Sequence, residues 1–337
     1  MIQINQDRRV NLHDIAAEHL AYYETRIEKK IDTYLADRLS REQRAFLRHV
    51  RTKLRTILIG SPQDLERFSE EIEGQYPAVV AQIRQPKKSK KKNSVSFPEK
   101  VQKLFNYEAF SKRYDPSQWG AYRLAKLLGV QVCVYCNRQY THTYNSDNGR
   151  VRPHFDHFLD KATHLYLAIS MYNLVPCCSV CNSSLKGSET LSIRTHLHPY
   201  LEGTGEHVRF SVRFKGTSPD YMKLWVGNSD VFDIVLKADT GTKAPFTFLK
   251  RAIRTTRTFK IKELYQYHKD YAAELVVKAQ IYDDAHIRSL LADFPQLFRS
   301  REDVLRMLAA NYTKAEDADK RVLAKLTMDI AKEFGLS

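Results

Sequence analysis

Two cysteine pairs near the middle of the chain have the same spacing: Cys133-Val134-Tyr135-Cys136 and, 42 residues after Cys136, Cys178-Ser179-Val180-Cys181. Each pair has the C-x-x-C spacing that lets two thiolates reach one ion from a tight turn. Zinc takes four such sulfurs tetrahedrally, at about 2.3 Å, and then keeps no open position for water. The spacing therefore predicts a structural zinc site formed by Cys133, Cys136, Cys178 and Cys181.

Cys177 is the fifth cysteine and leaves alternatives open. Cys177 and Cys181 are another conceivable ligand pair, but their i, i+4 spacing suits a metal-binding turn less well. Buried cysteines that only happen to lie near each other, or a redox pair of the thioredoxin type, would also explain a C-x-x-C motif. Two such motifs in one chain favour zinc, and we expect Cys177 to pack in the core.

Composition bounds the class of protein. The chain has 337 residues, of which 43% are hydrophobic, and a net charge of +15. A basic surplus of this size favours a polyanionic partner such as nucleic acid. No apolar run approaches the ~20 residues of a membrane span, and the first residues lack the pattern of a secretory signal. We therefore expect a cytoplasmic protein with no membrane partner.

Hydrophobic periodicity divides the chain into four regions. Apolar residues recur every three or four positions in much of the chain, which is typical of helices, and Ser61-Pro62-Gln63-Asp64 has the features of a helix start. A lysine-rich run breaks this pattern and predicts a linker or loop. The regions are 1–85 (helical), 86–98 (basic linker), 99–200 (the cysteine-bearing domain) and 201–337 (a β element followed by helices).

The β element is predicted by a strict alternation of apolar and polar residues in 208–214, which is typical of a half-buried strand. Residues 224–226 and 231–236 are its expected companions, with 227–230 as a turn. Strands grouped apart from helices in this way predict an α+β protein.

Residues between the two cysteine pairs have the chemistry that phosphodiester hydrolysis needs. A neutral imidazole is suited to activate water near pH 7, which makes His157 a candidate general base. Asp156 offers a hard oxygen ligand for Mg²⁺ or Mn²⁺, and Asn182 can supply a second oxygen from the start of a short helix. His154 is an alternative metal ligand, because it lies on the same strand face as Asp156.

Four short segments together resemble the HNH (ββα-metal) endonuclease superfamily: Phe155-Asp156-His157, Asn173-Leu174-Val175-Pro176, Cys178-Ser179-Val180-Cys181-Asn182 and Lys186-Gly187. The resemblance implies a ββα-metal core with a structural zinc. It also implies that His157 is the base, that Asp156 and Asn182 bind the catalytic metal, and that the amide of Asn173 braces the loop carrying His157.

The resemblance covers Cys133 to Gly187, about a sixth of the chain, and departs from the family pattern at two positions. Asn182 stands where His is commoner, which makes the chain an H-N-N variant and bears on the choice of metal. Asp160 stands where many relatives have proline, which puts the turn after the base in doubt. Flanking residues 259–284 resemble bacterial HNH proteins encoded with ATPases, such as the nuclease subunit of Septu-type anti-phage systems.

Basic side chains in two parts of the chain are candidates for nucleic-acid contacts. Arg138, Arg150, Arg152 and Lys186 lie within the nuclease-like segment, although Lys186 also suits a helix C-terminus. Lys250, Arg254 and Arg257 would share one face of a helix and could follow a phosphate backbone. The alternative for this helix face is a solvated surface.

Three functions are consistent with these residues. The first is a DNA endonuclease that depends on Mg²⁺ or Mn²⁺, acting in antiviral defence with an ATPase partner. The second keeps the chemistry but cleaves RNA, as a toxin would. The third is a zinc-stabilised scaffold or nucleic-acid-binding protein without catalysis. The helices outside the nuclease-like segment exceed what such a module needs, so we expect them to dock a partner or form a homo-oligomer.

Overall fold

The protein is described from a computed structural model. The residues that it describes are 1–4, 10–85, 95–187, 189–216, 221–225, 229–239 and 241–336. They form a mixed structure of helices and small antiparallel sheets, in agreement with the predicted α+β class. The lysine-rich part of the predicted linker, 86–94, lies outside the described residues.

Helices fill the N-terminal part of the chain. They are α1 Leu12–Leu35, α2 Arg41–Thr52, α3 Leu54–Ile59, α4 Pro62–Gln75, α5 Pro77–Arg84, α6 Phe97–Leu104, α7 Tyr107–Ser111 and α8 Ala121–Leu128. The predicted start at Ser61 is confirmed, because its hydroxyl accepts from the amide of Asp64 and the Asp64 carboxylate accepts from the Ser61 amide. Helix α6 begins within the range predicted as a linker.

Two short hairpins follow α8. The first joins β1 Tyr144–Ser146 to β2 Gly149–Val151, and the second joins β3 His154–His157 to β4 Leu174–Cys177. A short π-helical segment, Val180–Leu185, comes directly after β4 and is called the cysteine helix here. It begins between Cys178 and Cys181, so the second C-x-x-C motif and the start of the cysteine helix share residues.

The C-terminal part contains one hairpin and seven helices of the described chain. The strands are β5 Val208–Phe214 and β6 Phe232–Ala238; the helices are α9 Tyr221–Trp225, α10 Phe246–Thr258, α11 Ile261–Tyr265, α12 Lys269–Ile281, α13 Asp284–Asp293, α14 Arg301–Ala309 and α15 Ala324–Phe334. The predicted pairing of 208–214 with 231–236 is confirmed. The strand predicted at 224–226 is wrong for residues 224 and 225, which belong to α9; so short an apolar run does not distinguish strand from helix. Residue 226 and the first two residues of the predicted turn at 227–230 lie outside the described residues.

One buried hydrophobic cluster contains side chains from the three predicted regions other than the linker, from Ile15 in α1 to Ile330 in α15. These regions therefore share a core. The C-terminal part of the chain also bonds to the turn that carries the first cysteine pair: the Tyr265 hydroxyl of α11 donates to the carbonyl of Cys136, and the side-chain amide of Asn137 donates to the carbonyl of Ala318. None of the helices among the described residues has the length and apolarity to cross a membrane.

Candidate active site and metal centre

Four buried cysteines come together between the turn after α8 and the cysteine helix. The sulfurs of Cys133, Cys136, Cys178 and Cys181 all lie within 4.8 Å of one another. A zinc–sulfur bond of about 2.3 Å corresponds to a tetrahedral edge of roughly 3.8 Å, and the sulfurs of Cys136 and Cys178 are 4.0 Å apart. The cluster can therefore hold a metal ion such as zinc.

Backbone amides support two of these sulfurs. The amide of Arg138 donates to Cys136 Sγ over 3.5 Å, and the amide of Cys181 donates to Cys178 Sγ over 3.4 Å. Hydrogen bonds from the neighbouring thiols, that of Cys133 first, lower the pKa of Cys178. Amide donors and a stabilised thiolate are what a cation bound by sulfur requires.

Cys177 is fully buried and its sulfur does not belong to the cluster. Burial raises the pKa of this thiol well above its usual range, and the nearby carboxylate of Asp156 acts in the same direction. The structure thus selects Cys178 over Cys177 and places Cys177 in the core, as the sequence predicts.

The hairpin of β3 and β4 carries the residues with candidate chemical roles. Its register pairs Asp156 with Val175 and His157 with Leu174. Successive residues of a strand face opposite sides, so Asp156 and His157 project differently even though they are neighbours. Asp156 is 3% exposed, whereas His157 lies at the end of the strand and is partly exposed.

Both carboxylate oxygens of Asp156 have partners. Oδ1 accepts from Lys186 Nζ over 2.7 Å, and Oδ2 accepts from the Tyr135 hydroxyl over 2.8 Å. Burial raises the pKa of Tyr135 well above its usual range, so its hydroxyl stays protonated and donates. Asp156 is thus an oriented carboxylate that faces a cation.

The imidazole of His157 is held by the backbone. Its Nε2 lies 2.9 Å from the carbonyl oxygen of Ala168. A carbonyl only accepts, so Nε2 carries the proton and Nδ1 keeps its lone pair. Burial lowers the pKa of His157 to about 4, and the imidazole is therefore neutral at pH 7. The ring of Tyr107 packs edge-on against it, with centroids 4.4 Å apart.

Asn173 clamps the loop that follows His157. Its Oδ1 accepts from the amide of Leu159 over 2.7 Å, and its Nδ2 donates to the carbonyls of Leu159 and Leu167. The Asn173 side chain is 1% exposed, so these bonds are made without competition from water. The amide fixes the backbone on both sides of the turn that leads from the base to the carbonyl of Ala168.

Asn182 and His154 line the same cleft as Asp156. The backbone amide of Asn182 donates to the carbonyl of Cys178 over 3.1 Å, and this bond ties the position of Asn182 to the cysteine cluster. His154 is exposed. Both side chains have donor atoms suited to a divalent cation, so His154 remains an alternative ligand.

The cleft itself has a volume of about 690 Å³ and brings Asp156, His157 and Asn182 to one surface. Tyr107, Tyr114 and Tyr122 line it as well. Its charged lining comprises Lys112, Arg150, Arg152, Lys161, Lys186, Asp156 and Asp160. Basic side chains outnumber carboxylates there, so the cleft favours an anion.

The residues predicted to contact nucleic acid lie in four different settings. Arg152 lines the cleft, where it donates to Ser111 Oγ over 2.6 Å. Lys186 is 6% exposed and bonds Asp156, so it presents little charge to solvent. Arg138 is partly buried and donates to His268 Nε2 over 3.0 Å.

Three basic side chains of α10 line a second cleft together with Leu185 of the cysteine helix: Lys250, Arg254 and Arg257. The three basic side chains are exposed, and the helical spacing that the sequence predicts brings them to one surface.

Sequence reasoning missed Tyr135 and Tyr107. Tyr135 lies inside the first C-x-x-C motif, a position that could have signalled a link between the cysteine cluster and Asp156. It also stacks on Phe259, with ring centroids 4.0 Å apart. Tyr107 gives no sequence signal, because its contact with His157 joins residues that are distant in the chain.

The site thus combines an oriented carboxylate and a neutral histidine, which line one basic cleft, with a buried four-cysteine cluster that Tyr135 and Asn182 connect to it in the chain. Comparison with known proteins adds no assignment to this geometry. No family model, no curated protein and no solved structure matches this chain.

Proposed function

We propose that the protein is a metal-dependent endonuclease of the HNH type that hydrolyses phosphodiester bonds of DNA. The observation that carries the proposal is the convergence of His157, Asp156 and Asn182 on one basic cleft beside the cysteine cluster. The order of elements along the chain supports the proposal as well. Strand β3, which ends at His157, pairs with β4, which ends at Cys177, and the cysteine helix follows β4. This is the ββα order of the family that the motif resembles.

His157 is the general base in this proposal. Its Nε2 proton is committed to the Ala168 carbonyl, which leaves Nδ1 to accept a proton from an attacking water. The edge-on ring of Tyr107 limits the rotation of the imidazole. Asn173 is a positioning residue, since its amide holds the loop that runs from the base to that carbonyl.

The donor set fits a hard divalent cation. The Asp156 carboxylate already faces a positive charge, that of Lys186, and the Asn182 amide lies at the same cleft. Asp156 and Asn182 would hold Mg²⁺ or Mn²⁺, with His154 as a further candidate ligand. Such an ion neutralises phosphate charge and stabilises the leaving oxygen. Tyr135 keeps the carboxylate oriented, and Arg152 offers a guanidinium to the phosphate.

The cysteine cluster serves as a structural zinc site in this proposal. Four sulfurs complete a tetrahedral shell and leave no position for water, so zinc would stabilise the fold without taking part in hydrolysis. It would fix the cysteine helix that carries Asn182 and the turn that carries Tyr135. Loss of zinc would therefore disturb Asn182 and also Tyr135, whose hydroxyl donates to Asp156.

The proposal includes an ATPase partner in an antiviral defence system. Only the resemblance of residues 259–284 supports this part of it. The helices outside the site pack into the same core as the site, so a partner would act on their exposed faces. Co-purification of the full chain with a candidate ATPase tests this part separately from hydrolysis.

Nicking of supercoiled plasmid tests the function. Purified protein with Mg²⁺ or Mn²⁺ is compared with the His157→Ala variant and with His142→Ala, a control at an exposed histidine outside the cleft. Loss of a general base is expected to slow cleavage by about 10²–10⁴-fold. An RNA substrate run in parallel distinguishes a ribonuclease. Equal activity of the parent and the His157→Ala variant would contradict the assignment of the base, and metal-independent binding without cleavage would favour the scaffold function.

A further inference from the structure

Helix α10 presents a second basic surface that the proposed chemistry does not use. Lys250, Arg254, Arg257 and Lys260 line a cleft of about 600 Å³ together with Leu185, Glu189, Ile253 and Thr258. The four basic side chains are exposed. They recur at three- and four-residue spacing, so they follow one face of the helix and its C-terminal end.

Their charges are uncompensated. Within the described ranges, no hydrogen bond or ion pair engages the side chains of Lys250, Arg254, Arg257 and Lys260. Glu189 is the one carboxylate among the residues that line the cleft. Arg251, on a different side of the same helix, behaves otherwise: its guanidinium pairs with the carboxylate of Glu202. Residues 240–262 contain no acid at all. The helix thus keeps its free positive charges on the one face that lines the cleft.

This second cleft adjoins the candidate active site. Leu185 and Glu189 line the second cleft, while Lys186 and Gly187, which follow Leu185 in the chain, line the first cleft. Gly187 adopts a left-handed conformation with φ 53°, and a Cβ placed there would meet nothing within 4 Å. Residues that are adjacent in the chain, Leu185 to Gly187, therefore line both clefts, and there is open space beside the backbone of Gly187.

We propose that nucleic acid bound for cleavage continues from the first cleft over Gly187 onto α10, where Lys250, Arg254 and Arg257 contact successive phosphates. The inference rests on the proposed function. Seven residues separate Lys250 from Arg257, a rise of about 10 Å along a helix. That length spans about three phosphate intervals of one strand, which advance 3.4 Å each along the duplex axis, so three long basic side chains can reach neighbouring phosphates.

An exposed aromatic ring extends this surface. Phe246, at the start of α10, is 70% exposed, and Lys250 Nζ lies 4.6 Å from its ring centroid. A ring in this position can stack on an unpaired base, and basic side chains beside such a ring are typical of surfaces that follow a nucleic-acid strand. An acidic protein partner would gain less from regular charges spaced along one line.

The test uses the full chain with Lys250, Arg254 and Arg257 all changed to Gln, in the His157→Ala background so that DNA is not consumed. The control changes Arg41, Arg48 and Arg55 to Gln, which removes the same charge from exposed positions on α2 and α3. Affinity for a fluorescent duplex is measured at several salt concentrations. Because each phosphate contact contributes about 0.9 to the logarithmic salt slope, the α10 variant is expected to lose about 2 to 3 from the slope and the control much less.

A kinetic readout separates this inference from the proposed function. In the chain with His157 intact, the α10 substitutions are expected to raise KM for plasmid and to leave kcat within about twofold, because they remove binding that substrate and transition state share. Equal salt slopes for the α10 variant and the control would overturn the inference even if the parent cleaves DNA. If the protein shows no cleavage but the α10 variant still has a smaller salt slope than the control, the result would support nucleic-acid binding by α10 and contradict the proposed nuclease activity.

Discussion

The ammonium of Lys186 lies 2.7 Å from Asp156 Oδ1, and both side chains are almost completely buried. The same ammonium donates to the carbonyl of His157. Lys186 therefore supplies positive charge to the carboxylate and the strand end that we assign to the metal and the base. In this arrangement the lysine and a divalent cation are alternative counterions for Asp156.

Changing Lys186 to Met is expected to destabilise the protein in the absence of divalent metal. Removing one partner of a buried ion pair leaves an uncompensated charge, which typically costs about 3–5 kcal/mol. Mg²⁺ or Mn²⁺ should then raise the melting temperature of the variant more than that of the parent. Differential scanning fluorimetry with and without metal measures both effects, with Lys126→Met, at an exposed helix position, as the control. Identical metal-induced shifts in parent and variant would show that Lys186 and metal do not share Asp156.

Changing Cys178 to Ser is expected to remove zinc and to lower stability. A structural zinc contributes folding free energy directly, because its ligands converge only in the folded chain. Elemental analysis of the parent should find one zinc per chain, and the variant should have less. Cys177→Ala is the matched control, since Cys177 is the adjacent residue and lies outside the sulfur cluster. Loss of zinc from the Cys177→Ala variant instead would contradict the ligand set.

Changing Asn173 to Ala is expected to reduce both stability and cleavage. It removes three hydrogen bonds and leaves the buried amide and carbonyl of Leu159 without their side-chain partner; an unsatisfied buried group costs about 1–3 kcal/mol. Urea unfolding measures the first effect, and plasmid nicking well below the melting temperature measures the second. Asn145→Ala, a side-chain amide on β1, is the control. Full activity of a stably folded Asn173→Ala variant would show that the loop does not need this clamp.

The sequence predicts the local features of this protein well. The cysteine spacing identifies the four sulfurs that come together, and the alternation in 208–214 predicts β5 to the residue. Both signals arise within a few residues of chain, where covalent geometry limits the alternatives. The short apolar run at 224–226 carried no such constraint, and its predicted strand is a helix.

Long-range relations were beyond the sequence. Charge alone suggested that Lys186 and Arg138 contact phosphate, yet Lys186 bonds Asp156 and Arg138 bonds His268. Likewise, no pattern predicts that Tyr107 packs on His157 or that one core joins the predicted regions. Such contacts depend on how distant elements pack, which residue type and spacing do not determine.

Buried histidines are expected to make the protein acid-sensitive well above the range in which carboxylates titrate. Burial lowers the pKa of His19 and of His198 to about 3, and that of His196 to about 4, whereas an unfolded histidine titrates near 6.5. Between pH 6.5 and these values the unfolded chain binds protons that the folded chain does not, so the free energy of unfolding falls as pH falls. Each histidine contributes up to about 1.4 kcal/mol per pH unit.

His198→Gln isolates one of these contributions. His198 is 2% exposed and packs against Phe158, with ring centroids 4.2 Å apart. Urea unfolding from pH 7 to 5 should give a pH slope for the variant that is shallower than the parent's by up to about 1.4 kcal/mol per unit, whatever the substitution costs at pH 7. Comparing slopes removes titrations common to both chains, including those of the cysteines. An unchanged slope in His198→Gln would mean that this imidazole is accessible to protons in the folded protein.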